Sequence, residues 1–183
     1  MKNLVIISTL ALGAFFFGTD NAQAQDVNPA TTTVNITLAD VISILPSSAA
    51  NGGNINFSYD TASAYHADQT KNQPNALIVT STKTFDVAVK AGGTNFTDGT
   101  NLIPVDVLTI KPVSGGNTTM TGTQSNVVLT TNDQKIVTGA TLGSEVVLDI
   151  DYEIPAAKAS SPDILGKPAG TYTQTVIYTA TVQ

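Results

Sequence analysis

Gly170-Thr-Tyr-Thr-Gln-Thr-Val-Ile-Tyr-Thr-Ala-Thr-Val-Gln183 is the stretch whose reading decides the fold. Positions 172, 174, 176, 178, 180 and 182 carry Tyr, Gln, Val, Tyr, Ala and Val, and threonine fills most of the places between them. Side chains of a strand alternate between its two faces, so this pattern predicts a long β-strand with one buried and one wet face. Pro168-Ala169-Gly170 marks the turn from which it starts. An apolar-faced strand must pair with something, because unpaired main-chain groups on a sheet edge recruit another strand. The expected internal partner is the strand Val146–Ile154 or another strand of its sheet.

The same alternation recurs upstream. Val34, Ile36, Leu38, Ile42 and Ile44 keep one parity, which predicts one long strand or two collinear ones meeting near Ala39-Asp40, ended by Pro46. Ile55, Phe57 and Tyr59 predict a short strand, and residues 60–74 show no period and predict an irregular crossing loop. Leu77–Val79 and Phe85–Val89 give two strands, read as one bent segment interrupted at Ser81-Thr82-Lys83. Strands are also expected over Ile103–Ile110, Val127–Leu129 and Ile136–Val137. Val146–Ile154 is the cleanest amphipathic strand of the chain. No stretch holds a 3.6-residue apolar period over ten positions, so no major helix is expected. The pattern predicts an all-β, immunoglobulin-like Greek-key sandwich of about eight to nine strands.

Domain organisation follows from the other end. Met1-Lys2-Asn3 is basic, Leu4–Gly18 is apolar, and Ala22-Gln23-Ala24 supplies the small-x-small cleavage pattern. Residues 1–24 are therefore expected to be a cleaved secretory signal peptide, since the apolar run is shorter than the roughly 20 residues a membrane span needs. Residues 25–33 read as a flexible arm. Residues 34–183 read as a single domain, with 34–44 either its own first strand or a donor strand. The 183 residues include no cysteine, so neither disulfides nor thiol chemistry are available. A net charge of −6 with only 8 Lys and Arg argues against nucleic acid and anionic lipid as partners. Export to the periplasm and then the cell surface or medium is the expected destination.

Candidate chemistry is sparse. His66 is the sole histidine, in a polar loop with no cysteine or carboxylate pair beside it, which makes a poor metal site. Asp149, Asp151 and Glu153 alternate on one strand face; same-face neighbours stand about 6.8 Å apart, so calcium would need loop oxygens to complete its shell. An acidic wet face opposite the Val146–Ile154 core explains them more simply. No Gly-x-Ser-x-Gly elbow and no strand–glycine-loop–helix setting occur. The four Asn-x-Ser/Thr triplets at Asn35, Asn56, Asn95 and Asn117 are what a chain rich in Asn and Thr contains by chance. The tyrosines read as core or interface fillers. The sequence predicts no enzyme and no cofactor.

The final stretch resembles the last strand of bacterial chaperone–usher pilin subunits, which carry a glycine fourteen residues from the terminus, as Gly170 stands here. Val182 replaces the penultimate aromatic of that pattern. Val34-Asn-Ile-Thr-Leu-Ala-Asp-Val-Ile-Ser-Ile44 is similar to the N-terminal extension and first strand of cysteine-free pilins. This resemblance implies an incomplete sandwich whose groove receives the N-terminal strand of the next subunit. Val34, Ile36 and Leu38 would be the donor side chains, and Tyr172, Val176, Tyr178, Ala180 and Val182 would line the acceptor groove. It also implies a homopolymer, with a periplasmic chaperone as a second partner. A second likeness, from Asn75 onward, is to cell-wall-associated WxL domains; Phe85-Asp-Val87 and Tyr178-Thr-Ala180 stand where the two Trp-x-Leu motifs would be. That likeness implies a surface module binding wall polymer or carbohydrate. The leading expectation is a non-enzymatic structural subunit of a surface filament or adhesive layer.

Overall fold

The alternation of residues 143–154 builds the strand around which the first sheet forms. In the computed structural model, residues 30–116 and 118–183 are described; the expected signal peptide, the first part of the arm and Asn117 lie outside them. Residues 30–37 have no regular secondary structure and are exposed. Leu38–Gln183 make a compact unit, an antiparallel all-β sandwich as the sequence predicts.

Eleven strands are found among the described residues: β1 (Ile42–Ile44), β2 (Gln69–Ser81), β3 (Phe85–Ala91), β4 (Asn95–Thr97), β5 (Leu102–Pro104), β6 (Thr109–Ser114), β7 (Thr123–Gln124), β8 (Val127–Val128), β9 (Gln134–Ala140), β10 (Gly143–Ile154) and β11 (Val176–Val182). One sheet has the order β1-β2-β10-β6-β8, the facing sheet β11-β3-β9-β7, and β4-β5 form a hairpin. Consecutive strands thus repeatedly change sheet. Phe85, Val87 and Val89 of β3 face Leu77 and Val79 of β2 and Leu148 and Ile150 of β10 in one core, all nearly inaccessible. Burying each such side chain contributes about 1.5–3 kcal/mol.

Several expectations are corrected. The strand expected over 34–44 is reduced to Ile42–Ile44. Residues 69–74, expected in a crossing loop, are the first half of β2. They escape a period search because Gln69 to Gln73 present polar side chains to both faces. Ala62–His66 form a 3₁₀ turn capped by the Thr61 hydroxyl. The two strands expected across 77–89 are found, but not as one bent segment: they lie in different sheets, because the reversal at Ser81–Lys83 sends the chain across the sandwich. Of the two expected partners of the C-terminal strand, it is another strand of its own sheet, β3, that pairs with it, and not Val146–Ile154, which lies in the opposite sheet. A short helix, Ala156–Ala159, follows β10.

The acidic row on β10 is taken up by its own neighbours. The pairing of β2 with β10 breaks between Leu148 and Ile150, where Asn75 adopts a left-handed φ of 51°. Asp149 accepts the Asn75 amide at 2.7 Å there, which satisfies a donor that the bulge takes out of the ladder. Asp151 accepts from Asn72 Nδ2 at 2.7 Å, and Glu153 pairs with Lys111 and Thr70.

Candidate functional site: an open side of the sandwich

The two long sides of the sandwich are finished differently. On one side the run 123–130 crosses between the sheets and bonds to both. Thr123 and Gln124 pair with β9, Ser125 N donates to Ile136 O at 3.0 Å, and Val127 and Val128 pair with β6. Leu129 N donates to Leu108 O, while Ala91 N of β3 donates to Thr130 O at 2.7 Å. Leu129 at the centre of this crossing is fully buried.

On the other side the corresponding run is 42–60. It begins in the same way: β1 pairs with β2, and the amides of Leu45, Ala49 and Ala50 donate to Ile78 O, Asn75 O and Ala76 O. Beyond Asn51 the ladder stops. Ile55, Phe57 and Tyr59 keep the predicted inward alternation and pack on the core. Yet among the described residues no main-chain bond joins residues 52–60 to either sheet. Ser58 O is held instead by the Gln69 side chain at 2.9 Å.

Facing this run across the open side is β11, an edge strand. Gly92 N donates to Thr175 O at 2.9 Å and Gln183 N donates to Thr84 O at 2.9 Å. Main-chain groups of a strand alternate in direction, so the odd-numbered residues 177, 179 and 181 bond to β3. The N–H and C=O groups of Val176, Tyr178, Ala180 and Val182 therefore point outward, with no partner among the described residues. Their side chains are the same ones that face the core. Val176, Tyr178 and Ala180 are only half-buried, whereas their β3 neighbours Phe85, Val87 and Val89 are wholly covered. Asp86 pins the end of β11, accepting from Gln183 Nε2 at 2.6 Å and Gly139 N at 2.8 Å and pairing with Lys135 at 2.7 Å. The Lys135 contact and the Gly139 amide hold its carboxyl below the usual range.

Between the two walls lies a cleft of about 1180 Å³, continued by a smaller one of about 320 Å³ beside Ile44 and Leu77. Ala50, Val176 and Tyr178 line both. A hydrogen-bond relay runs beneath them. The Tyr178 hydroxyl donates to that of Tyr152 at 2.8 Å, Tyr152 donates to Gln73 Oε1 at 3.1 Å, and Gln73 Nε2 donates to Ala49 O at 2.8 Å. It ties β11, β10, β2 and the run after β1 together across the interior. Burial raises the Tyr178 and Tyr152 hydroxyls above their ordinary range, and for Tyr178 the adjoining Tyr152 hydroxyl adds to the effect. Gly53 sits hard against this relay: a Cβ there would lie 2.2 Å from Ala49 O and 2.6 Å from Gln73 Nε2.

Tyr59 closes the far end of the cleft, its ring 5.1 Å from that of Tyr65 and tilted by 38°. Its hydroxyl is shielded from solvent and has no hydrogen-bond partner among the described residues. Burial, with a smaller contribution from Tyr65, pushes that hydroxyl up to about 12.

Of the sequence-predicted site residues, Val176, Tyr178 and Ala180 share the inner face of β11. Val182 continues their parity but is 41% exposed. Tyr172 precedes β11, lines the large cleft, and donates to Pro168 O at 2.9 Å. Val34, Ile36 and Leu38 are 78%, 80% and 87% exposed, and none belongs to a strand. The sequence reading missed Ile55, Phe57 and Tyr59 as a groove wall, and Gln73 and Tyr152 as its floor. His66 is exposed in its 3₁₀ turn. No family model matches the chain, and a search of curated proteins finds no significant match.

Proposed function

We propose that this protein is an exported, non-enzymatic structural subunit of a surface filament or adhesive layer, assembling with copies of itself by β-strand addition. The observation that carries the reading is the asymmetry of the sandwich. One side is closed by a run bonded to both sheets; the other has an extended run with no main-chain bond to either sheet among the described residues and an edge strand with four residues whose outward main-chain groups are unpaired. A strand laid between them would gain main-chain bonds for affinity and side-chain pockets for register. Val34, Ile36 and Leu38, exposed on alternate positions, supply such a strand in a second copy. In the exporting cell a chaperone would hold the open side until assembly.

The test is a chain lacking residues 25–38. It should be monomeric and less stable than the full exported chain, and a peptide covering residues 30–40 should restore its stability. If the full exported chain stays monomeric at all concentrations, the reading fails. A second reading, a surface module binding wall polymer or carbohydrate, draws on the tyrosines and side-chain amides around the cleft, since aromatic bodies with polar tips suit such ligands. Absence of retention on isolated peptidoglycan would remove it.

A further inference from the structure

Given strand addition, on which this step rests, two copies have little room to stand apart. The arm is fastened where it joins the sandwich. The Val41 amide donates to the Thr82 hydroxyl at 2.9 Å, and the Thr82 amide donates to Val41 O at 2.9 Å. Asp40 pairs with Lys83 at 2.5 Å. Leu38, the last of the proposed donor side chains, is only three residues before Val41. That length of chain reaches at most about 10 Å. A copy that takes Leu38 into its cleft must therefore bring its own body against the end of the sandwich from which the arm leaves.

Apolar side chains stand at that end. Ile42 and Gly143 both pair with Ser81, one on each side of β2. Val41 and Leu142, the residues just before them, are thus two strand spacings apart, about 10 Å. In the facing sheet Val182 pairs with Phe85, and the reversal between Ser81 and Phe85 places Val182 at the same end. Val41 is 48% exposed, Leu142 62% and Val182 41%. Single exposed apolar side chains are ordinary; three at the one end that a neighbour must approach make a surface for that neighbour to cover. Asp40 and Lys83 neutralise each other there, so covering this end strands neither charge.

We infer that this end, with Val41, Leu142 and Val182, is a second contact surface between copies, seated on the body of the copy that receives the arm. The contact is heterologous, since the end of one copy meets a different surface of the next. It adds apolar burial to the main-chain bonds of the added strand, and it restrains how one copy is set on another.

Val41 and Leu142 line neither cleft, so changes there separate the two contacts. The double variant Val41→Ser, Leu142→Ser is measured in two ways: self-association of the full exported chain, and binding of a peptide covering residues 30–40 to the chain lacking residues 25–38. Self-association should weaken about tenfold, with peptide binding and the melting temperature unchanged. Should the double variant melt early, Leu142→Ser alone carries the test, with an expected loss of about threefold. Undiminished self-association overturns the inference, while peptide binding still supports strand addition. An equal loss in both measurements also overturns it, because the effect then runs through the cleft. Failure of the native chain to self-associate overturns both.

Discussion

Removing the Gln73 side chain would leave the Ala49 carbonyl without its donor and take the acceptor from the Tyr152 hydroxyl, which would keep only its bond from Tyr178. An unpaired buried group costs about 1–3 kcal/mol, whereas losing one hydrogen bond whose partner stays satisfied costs about 0.5–1.5 kcal/mol. Gln73→Ala is therefore expected to cost about 2–4 kcal/mol in urea unfolding. Tyr178→Phe, which leaves Tyr152 still bonded to Gln73, should cost about 1 kcal/mol. Equal losses would show that the relay carries no such hierarchy. The tyrosines also set an alkaline limit. Folded Tyr59, Tyr152 and Tyr178 hold their protons above the ordinary value of 10.0, Tyr59 to about 12. The unfolded chain then loses protons first, so their contribution is complete below pH 10 and declines as pH rises through about 12. Stability measured across that window should fall, and less steeply for Tyr59→Phe. None of this is legible in the sequence, because Gln73, Tyr152 and Tyr178 meet only after strands from two sheets have been brought face to face.

At the scale of the element, β11 offers a test that separates folding from recognition. The Thr179 N–H belongs to the ladder with β3, while the Ala180 N–H faces the open side. Proline at an outward-facing N–H of an edge strand is tolerated; proline at a ladder position removes a bond. Ala180→Pro should fold with a near-native melting temperature yet lose self-association, and Thr179→Pro should lose at least about 1 kcal/mol of stability. If Ala180→Pro still associates normally, the outer edge of β11 is not the docking edge. Alternation made β10, β11 and the inward set Ile55, Phe57 and Tyr59 readable from sequence. It did not reveal their partners, since a paired strand and an unpaired extended run share the same period of two. The polar first half of β2 was hidden for the opposite reason: Lys71, Asn72 and Gln73 bury too little apolar surface to make a period.

For the whole molecule, charge contributes little to the open side, because its β11 wall and residues 30–39 carry neutral residues. Self-association should accordingly change little between roughly 0.05 and 0.5 M salt, where screening of exposed charges becomes severe; a steep loss with salt, measured by sedimentation, would point to another surface. Composition and period established the class of architecture, but not that one side would be left unfinished, which depends on where the hydrogen bonds of residues 52–60 go. That difference between the sides gives the molecule two clocks in hydrogen exchange. Amides tied into the crossing at 123–130 open only with the sandwich as a whole, whereas those of residues 52–60 and the even-numbered amides of β11 exchange at nearly the rate of free chain. Along β11 fast and slow amides should therefore alternate residue by residue, a pattern that fades wherever a strand comes to rest beside it.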